Sequence, residues 1–277
     1  MKNIFSISAL FLFAIMIPAQ AQERSEVWNP DKGTHYINPV LNADYSDPDV
    51  CRAGDDFYMT SSSFACFPGL QILHSTDLVN WEIIGTALTD YPGEEWGEDA
   101  LWRRVPQHGN GVWAPAIRYH DGEFYIYCGD PDRGIFMVKT SDPRGKWSDP
   151  VWVVKAKGFI DPCPLWDDDG QAYLAHSLHG AGPIIIHKMS PDGKQLLDDG
   201  VTVYRGPVAE GPKCHKMNGC YYISIPEGVV TSGWQTMLRS RNIYGPYESK
   251  HVLETGTTKV NGPHQGSLVE TPKGEWW

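Results

Sequence analysis

The chain has 277 residues, with 34 Asp and Glu against 23 Lys and Arg and a formal charge of −11. That balance argues against a nucleic-acid partner, which is held by cationic contacts to phosphate, and against an anionic substrate, which the acids would repel. After residue 21 no stretch is long and apolar enough for a spanning helix, so no membrane span is expected.

Residues 1–21 read as a secretory signal. Lys2 supplies the positive start, residues 4–17 the apolar run and Ala19-Gln20-Ala21 the small-residue cleavage site. The mature protein is therefore expected to be secreted or periplasmic after cleavage near Ala21. Residues 22–37 read as an N-terminal extension, and residues 38–277 as one all-β domain. Its short β-branched and aromatic runs, separated by Gly, Pro and Asp, predict four groups of four strands. The first group lies at 51–52, 57–62, 70–74 and 82–87, and the second at 116–119, 124–128, 135–140 and 151–155. The third lies at 164–166, 172–176, 184–189 and 201–205, and the fourth at 213–216, 221–226, 235–240 and 251–254. Between the first two groups, residues 91–110 form a long excursion carrying Trp96, Trp102 and several charges, of the kind that lines sites.

A repeat underlies these groups. A turn and an aromatic recur at Gly54-Asp55-Asp56-Phe57-Tyr58, Asp121-Gly122-Glu123-Phe124-Tyr125, Asp169-Gly170-Gln171-Ala172-Tyr173, Asn218-Gly219-Cys220-Tyr221-Tyr222 and Lys273-Gly274-Glu275-Trp276-Trp277. Ser75, Ser141, Ser190 and Ser240 follow the first four copies at a nearly constant distance, each opening a turn. A period of roughly 50 residues with strand-turn-strand content predicts a β-propeller, here five-bladed. The fifth copy starts at Gly262 and reaches Trp277 inside its second strand, so the fifth blade is expected to be incomplete in this chain.

Six cysteines show neither staple nor zinc spacing. Full pairing would allow fifteen connectivities. An Asn218-Gly219 hairpin turn pairs Met217 with Cys220 and sets Cys214 opposite Ile223, so Cys214 and Cys220 are not neighbours. Mostly free, buried cysteines are expected.

Acidic residues are phase-locked to the repeat. Asp47, Asp161 and Glu210 stand at nearly the same distance before Tyr58, Tyr173 and Tyr222; the matching places in the second and fifth copies hold Trp113-Ala114 and His264-Gln265. Equivalent positions in successive blades face one axis, so three carboxylates should meet at one end of the central channel. Like charges gathered this way cost free energy, which marks the cluster as a candidate site. One protonated and one ionised carboxyl with room for a water are the requirement of inverting glycoside hydrolysis, and abundant Trp and Tyr suit stacking on sugar faces.

The strings Asp44-Tyr45-Ser46-Asp47-Pro48-Asp49-Val50, Phe67-Pro68-Gly69, Asp77-Leu78-Val79-Asn80-Trp81, Trp113-Ala114-Pro115, Ile160-Asp161-Pro162, Glu210-Gly211-Pro212 and Gly262-Pro263-His264-Gln265-Gly266 resemble glycoside hydrolase family 43. The likeness covers essentially the whole mature chain. It implies a five-bladed propeller of the β-xylosidase or α-L-arabinofuranosidase kind. By position, Asp47 resembles the general base, Glu210 the general acid, and Asp161 the residue that raises the pKa of the acid and orients it. Trp113 and Phe64 resemble hydrophobic walls of the sugar pocket. His264 resembles an axial histidine that in some members sits near calcium or water; no cofactor is required, and a structural calcium near His264 is the one metal the resemblance suggests. Many xylosidases of the family carry an acidic-aromatic pair after the Phe64 position, where this chain has Ala65-Cys66. The expected function is removal of terminal xylose or arabinose from plant polysaccharide fragments, most β-xylosidase-like, with an α-L-arabinofuranosidase as the first alternative and a non-catalytic carbohydrate-binding propeller as the second. The C-terminal β-sandwich of the nearest members is not expected here.

Overall fold

The computed structural model describes residues 30–64, 68–88, 112–257 and 262–277. The expected signal at 1–21, the first part of the extension, Ala65-Cys66-Phe67 and the 91–110 excursion lie outside the described residues.

Four sheets of four strands follow one another along the described chain. They comprise β1 (Asp49–Ala53), β2 (Asp56–Thr60), β3 (Gly69–Ser75) and β4 (Glu82–Leu88); then β5 (Trp113–His120), β6 (Glu123–Asp130), β7 (Gly134–Thr140) and β8 (Val151–Lys155). Next come β9 (Phe159–Trp166), β10 (Ala172–Leu178), β11 (Ile184–Met189) and β12 (Val201–Tyr204), and finally β13 (Lys213–Met217), β14 (Cys220–Glu227), β15 (Trp234–Ser240) and β16 (Glu248–Leu253). Each sheet is an antiparallel meander in chain order, which is the blade of a β-propeller. All sixteen predicted strands are present. The inner strands β5 and β9 begin earlier than predicted, at Trp113 and Phe159. Proline cannot donate to the ladder, and residues 115 and 162 are both proline. The two strands nevertheless run through their prolines, with register shifts between Trp113 and Ala116 in the second blade and between Ala175 and Ser177 in the third.

Turn chemistry accounts for the tight meander. Asp121-Gly122 and Asn218-Gly219 both place two successive residues at positive φ, the geometry of the favoured two-residue hairpin turn. Met217 pairs with Cys220 and Cys214 with Ile223, as the turn predicts. Ser75 caps its turn by accepting the amides of Asp77 and Leu78, and Ser190 and Ser240 accept turn amides likewise. In the second blade the cap is Thr140, not Ser141: its hydroxyl accepts the Asp142 amide. The period places the cap one residue late there, because the buried position at the strand end is the one that faces the turn.

Apolar packing lies between neighbouring blades. Leu70, Ile72, Ile117, Phe124, Ile126 and Val138 join the first two, while Tyr127, Ile135, Met137, Leu174 and Met189 join the second and third. Cys163, Ile184, Ile186, Cys214, Ile223 and Leu238 join the third and fourth. Cys51, Cys128, Cys163, Cys214 and Cys220 are free and buried, where they pack as small apolar side chains. Residues 262–277 sit against both ends of this series. Gly266 donates its amide to Gln235 in the fourth blade, while Ser267 donates to Asp49 in the first at 2.6 Å. Val269 and Trp277 then exchange two backbone hydrogen bonds, the beginning of a further strand pair.

A buried ionic link crosses the inner strands. Asp49, fully buried, accepts Arg118 Nη1 at 2.5 Å, the Ile117 amide at 2.8 Å and the Ser267 hydroxyl. Burial would raise its pKa, but Arg118 and Lys213, with these donors, hold it below the usual value.

Candidate active site

One backbone feature repeats at the start of every inner segment. Asp47, Ala114, Asp161, Gly211 and Gln265 all have positive φ, between 38° and 63°. Four of the five precede proline. Left-handed backbone is uncommon for residues other than glycine and clusters at functional sites. This ring is the structural repeat behind the phase-locked acids, and it corrects their alignment. Asp47 and Asp161 occupy the left-handed position itself. Glu210 stands one residue earlier, in step with Trp113 and His264. The left-handed place in the fourth blade goes to Gly211, where a Cβ would meet the Gln265 side chain at 2.5 Å. The count of residues alone places Glu210 level with the aspartates because the turns differ in length by one.

The ring brings the three acids into electrostatic contact. Glu210 is partly buried, and its pKa is pushed up to about 7, first by burial and then by the charges of Asp161 and Asp47. Asp161 is almost fully buried. Burial raises its pKa and Asp47 adds to that, while hydrogen bonds from Gly211 and Ser177 and the charge of Lys213 oppose it; the net direction is upward. Ser177 Oγ donates to Asp161 Oδ2 at 2.9 Å, and the Gly211 amide donates to the same oxygen at 3.0 Å. Ser62 Oγ donates to Asp47 Oδ2 at 2.6 Å.

Trp113 and Phe64 lie one and two residues along the chain from Ala114 and Ser62, and an imidazole stands beside Glu210. Trp113 is half-buried, its ring 6.1 Å from that of His179. Phe64 also has positive φ and is half-buried, with its amide bonded to Val112 just before Trp113. His264 Nε2 lies 3.5 Å from Glu210 Oε1, and burial lowers the pKa of its ring. Among the described residues no group of three or more His, Cys, Asp or Glu is placed to hold a metal ion, and Glu210 is the carboxylate paired with His264.

Sequence reasoning missed Ser62, Ser177, His179 and Lys213. Lys213 is buried and donates Nζ to the Pro115 carbonyl at 2.8 Å, across the centre from the fourth blade to the second. A lysine inside a short inner strand, three residues after Glu210, was the available signal. The serines follow Tyr58 and Tyr173 at one common offset, but serine is too common in strands to stand out.

A propeller with carboxyl groups gathered towards its axis, one of them with its pKa pushed up to about 7, has the kind of acid pair that glycoside hydrolysis uses. A profile of glycosyl hydrolases family 43 matches residues 36–277, and the chain belongs to that family. It is 50% identical over 250 residues to a putative beta-xylosidase of Xylanibacter ruminicola, covering 90% of this chain and 46% of that protein. Identity to the non-reducing end alpha-L-arabinofuranosidase BoGH43B of Bacteroides ovatus is 34% over 257 residues, covering 87% of this chain and 46% of that one. The crystal structure of a xylan beta-1,4-xylosidase from Bacillus halodurans superposes with a TM-score of 0.75 at 32% identity, covering 86% of this chain and 49% of that one. The chain thus spans about half the length of these relatives.

Proposed function

We propose that this propeller removes terminal β-linked xylose from plant polysaccharide fragments with inversion, Glu210 acting as general acid, Asp47 as general base and Asp161 as the charge that keeps Glu210 protonated. The observation that carries the reading is the raised pKa of Glu210, pushed up to about 7 by burial, Asp161 and Asp47. A carboxyl in that state can protonate a departing glycosidic oxygen near neutral pH. Asp47, hydrogen-bonded by Ser62, takes a proton from the attacking water on the opposite face of the sugar. Bond cleavage then releases an alcohol at the leaving sugar and a hemiacetal of inverted configuration. Trp113 and Phe64 supply the apolar face against which the terminal ring stacks. His264, beside Glu210, contacts the same sugar. The likeness to β-xylosidases favours xylose; that to BoGH43B keeps α-L-arabinofuranose as the second reading. Residues 1–21 direct the protein out of the cytoplasm; among the described residues no helix is long and apolar enough to cross a membrane.

The test is sugar release from xylobiose and from arabinofuranosyl-substituted xylo-oligosaccharides, with Asp47→Ala and Glu210→Ala alongside. Release from xylobiose that is lost in both variants supports the reading, and preference for the arabinosyl substrate selects the second. Carbohydrate binding without release from either substrate would replace both with a binding propeller.

A further inference from the structure

Asp47 and Asp161 share more than their left-handed backbone. In each of their blades a serine on or just after the second strand, Ser62 or Ser177, reaches the aspartate with its hydroxyl, at 2.6 and 2.9 Å. Each arrangement also takes an amide from the next blade. Ala114 donates to Ser62 Oγ at 2.7 Å, and Gly211 donates to Asp161 Oδ2 at 3.0 Å. Both serines are buried. The two described blades without an aspartate at the left-handed position lack the hydroxyl as well: Ala114 goes with Gly129, and Gly211 with Pro226. At Gly129 a serine would not fit, since a Cβ there would lie 2.9 Å from the backbone of Ile160. Ser177 is aimed by an irregularity. The β9–β10 register shifts between Ala175 and Ser177, the kind of bulge that re-aims a side chain. The intervening His176 is fixed by stacking on Phe159 at 4.0 Å and by hydrogen bonds to Ser177 O and His187.

We propose that Ser62 and Ser177 are positioning residues, each clamping the axial aspartate of its own blade against the backbone of the next blade. This rests on the glycosidase reading of the three acids. The groups facing Asp161 are Asp47, Glu210 and Lys213, together with its two donors. Asp47 faces Asp161, Glu210 and His264. Among these neighbours the Ser177 donor favours the ionised form of Asp161, because a hydrogen bond to the charged form stabilises it. In the hydrolytic scheme Ser177 thereby sustains the negative charge that keeps Glu210 protonated, and Ser62 aims the base.

The experiment is a carboxyl-carbon NMR titration of the full chain labelled at aspartate, with Asp47→Asn and Asp161→Asn to assign the two resonances. Losing a hydrogen bond to a charged group should move a midpoint by roughly one to two pH units. Ser177→Ala is expected to raise the Asp161 midpoint by that amount, and Ser62→Ala to shift the Asp47 carboxyl resonance while leaving the Asp161 midpoint in place. Melting curves establish that the variants are folded, and either serine decides the matter for its own aspartate. An Asp161 midpoint unmoved by loss of Ser177, an Asp47 resonance unmoved by loss of Ser62, or both aspartates responding alike in either variant, would overturn the clamp. Xylobiose hydrolysis by the same samples separates the two ideas. Aspartates that respond as stated in a chain that releases no sugar leave the clamp standing and remove the glycosidase reading.

Discussion

Asp49 and Asp161 are both buried carboxyls on the inner side of the propeller, each next to a proline in the sequence, yet the protein drives them in opposite directions. Asp49 meets the Arg118 guanidinium at 2.5 Å and is held below the usual carboxylate pKa. Asp161 has neutral donors in contact, Ser177 and Gly211, and the charge of Lys213 does not overcome burial and the repulsion of Asp47. A buried carboxyl with a matched cation ties elements together, whereas one left among other acids stores the electrostatic work that tunes a neighbour. Here that neighbour is Glu210.

The largest expected effect strikes the tuned side. Glu210→Gln should lower xylobiose hydrolysis by about 10²–10⁴-fold, the usual worth of a general acid. Hydrolysis of 4-nitrophenyl β-xyloside, whose leaving group departs without protonation, should fall much less; equal losses on the two substrates would show that Glu210 is not the acid. On the structural side, Arg118→Met leaves Asp49 buried without its partner and should cost about 3–5 kcal/mol in denaturant unfolding. Asp49→Asn added to it should recover part of the loss. Because the Asp49 pKa is depressed in the folded state, the stability it contributes is present above its ordinary range and lost as pH falls, so the deficit of Arg118→Met should shrink in acid.

Stability against pH sharpens the contrast, since the sign reverses at Glu210. Its folded pKa of about 7 lies above the ordinary value of 4.5, so stability it contributes is complete at acid pH and lost as pH rises through about 7. Glu210→Gln should therefore melt a few degrees above the unsubstituted protein in mild alkali and together with it in acid. The smallest effect belongs to the hydrophobic wall. Trp113→Ala should raise KM for xylobiose roughly 3–10-fold, the worth of one ring contact, with less change in kcat; a fall in kcat alone would place Trp113 outside the sugar pocket.

Much of this was legible in the residues. Aromatic-turn strings recur because each blade reuses one hairpin, and hairpin turns demand Asn-Gly or Asp-Gly at fixed places, so strand order and the register at Cys220 could be read directly. Asp47, Asp161 and Glu210 could be found because their spacing follows the blade. What could not be read is conformational. Left-handed φ at Asp47 and Asp161 is not signalled by residue type, and the one-residue offset of Glu210 is hidden by turns that differ in length by one. Thr140 replaces Ser141 as a cap because burial at the strand end, not residue type, selects the position. Lys213, legible only as the start of an inner strand, crosses the centre to Pro115.

The most direct test of the central claim is the pH dependence of kcat on xylobiose for the chain and for Asp161→Asn. The account predicts that kcat falls as pH rises through about 7, where Glu210 loses its proton, and that Asp161→Asn moves the fall to lower pH because a repelling charge has gone. An alkaline limb in the same place with and without the Asp161 charge would contradict it.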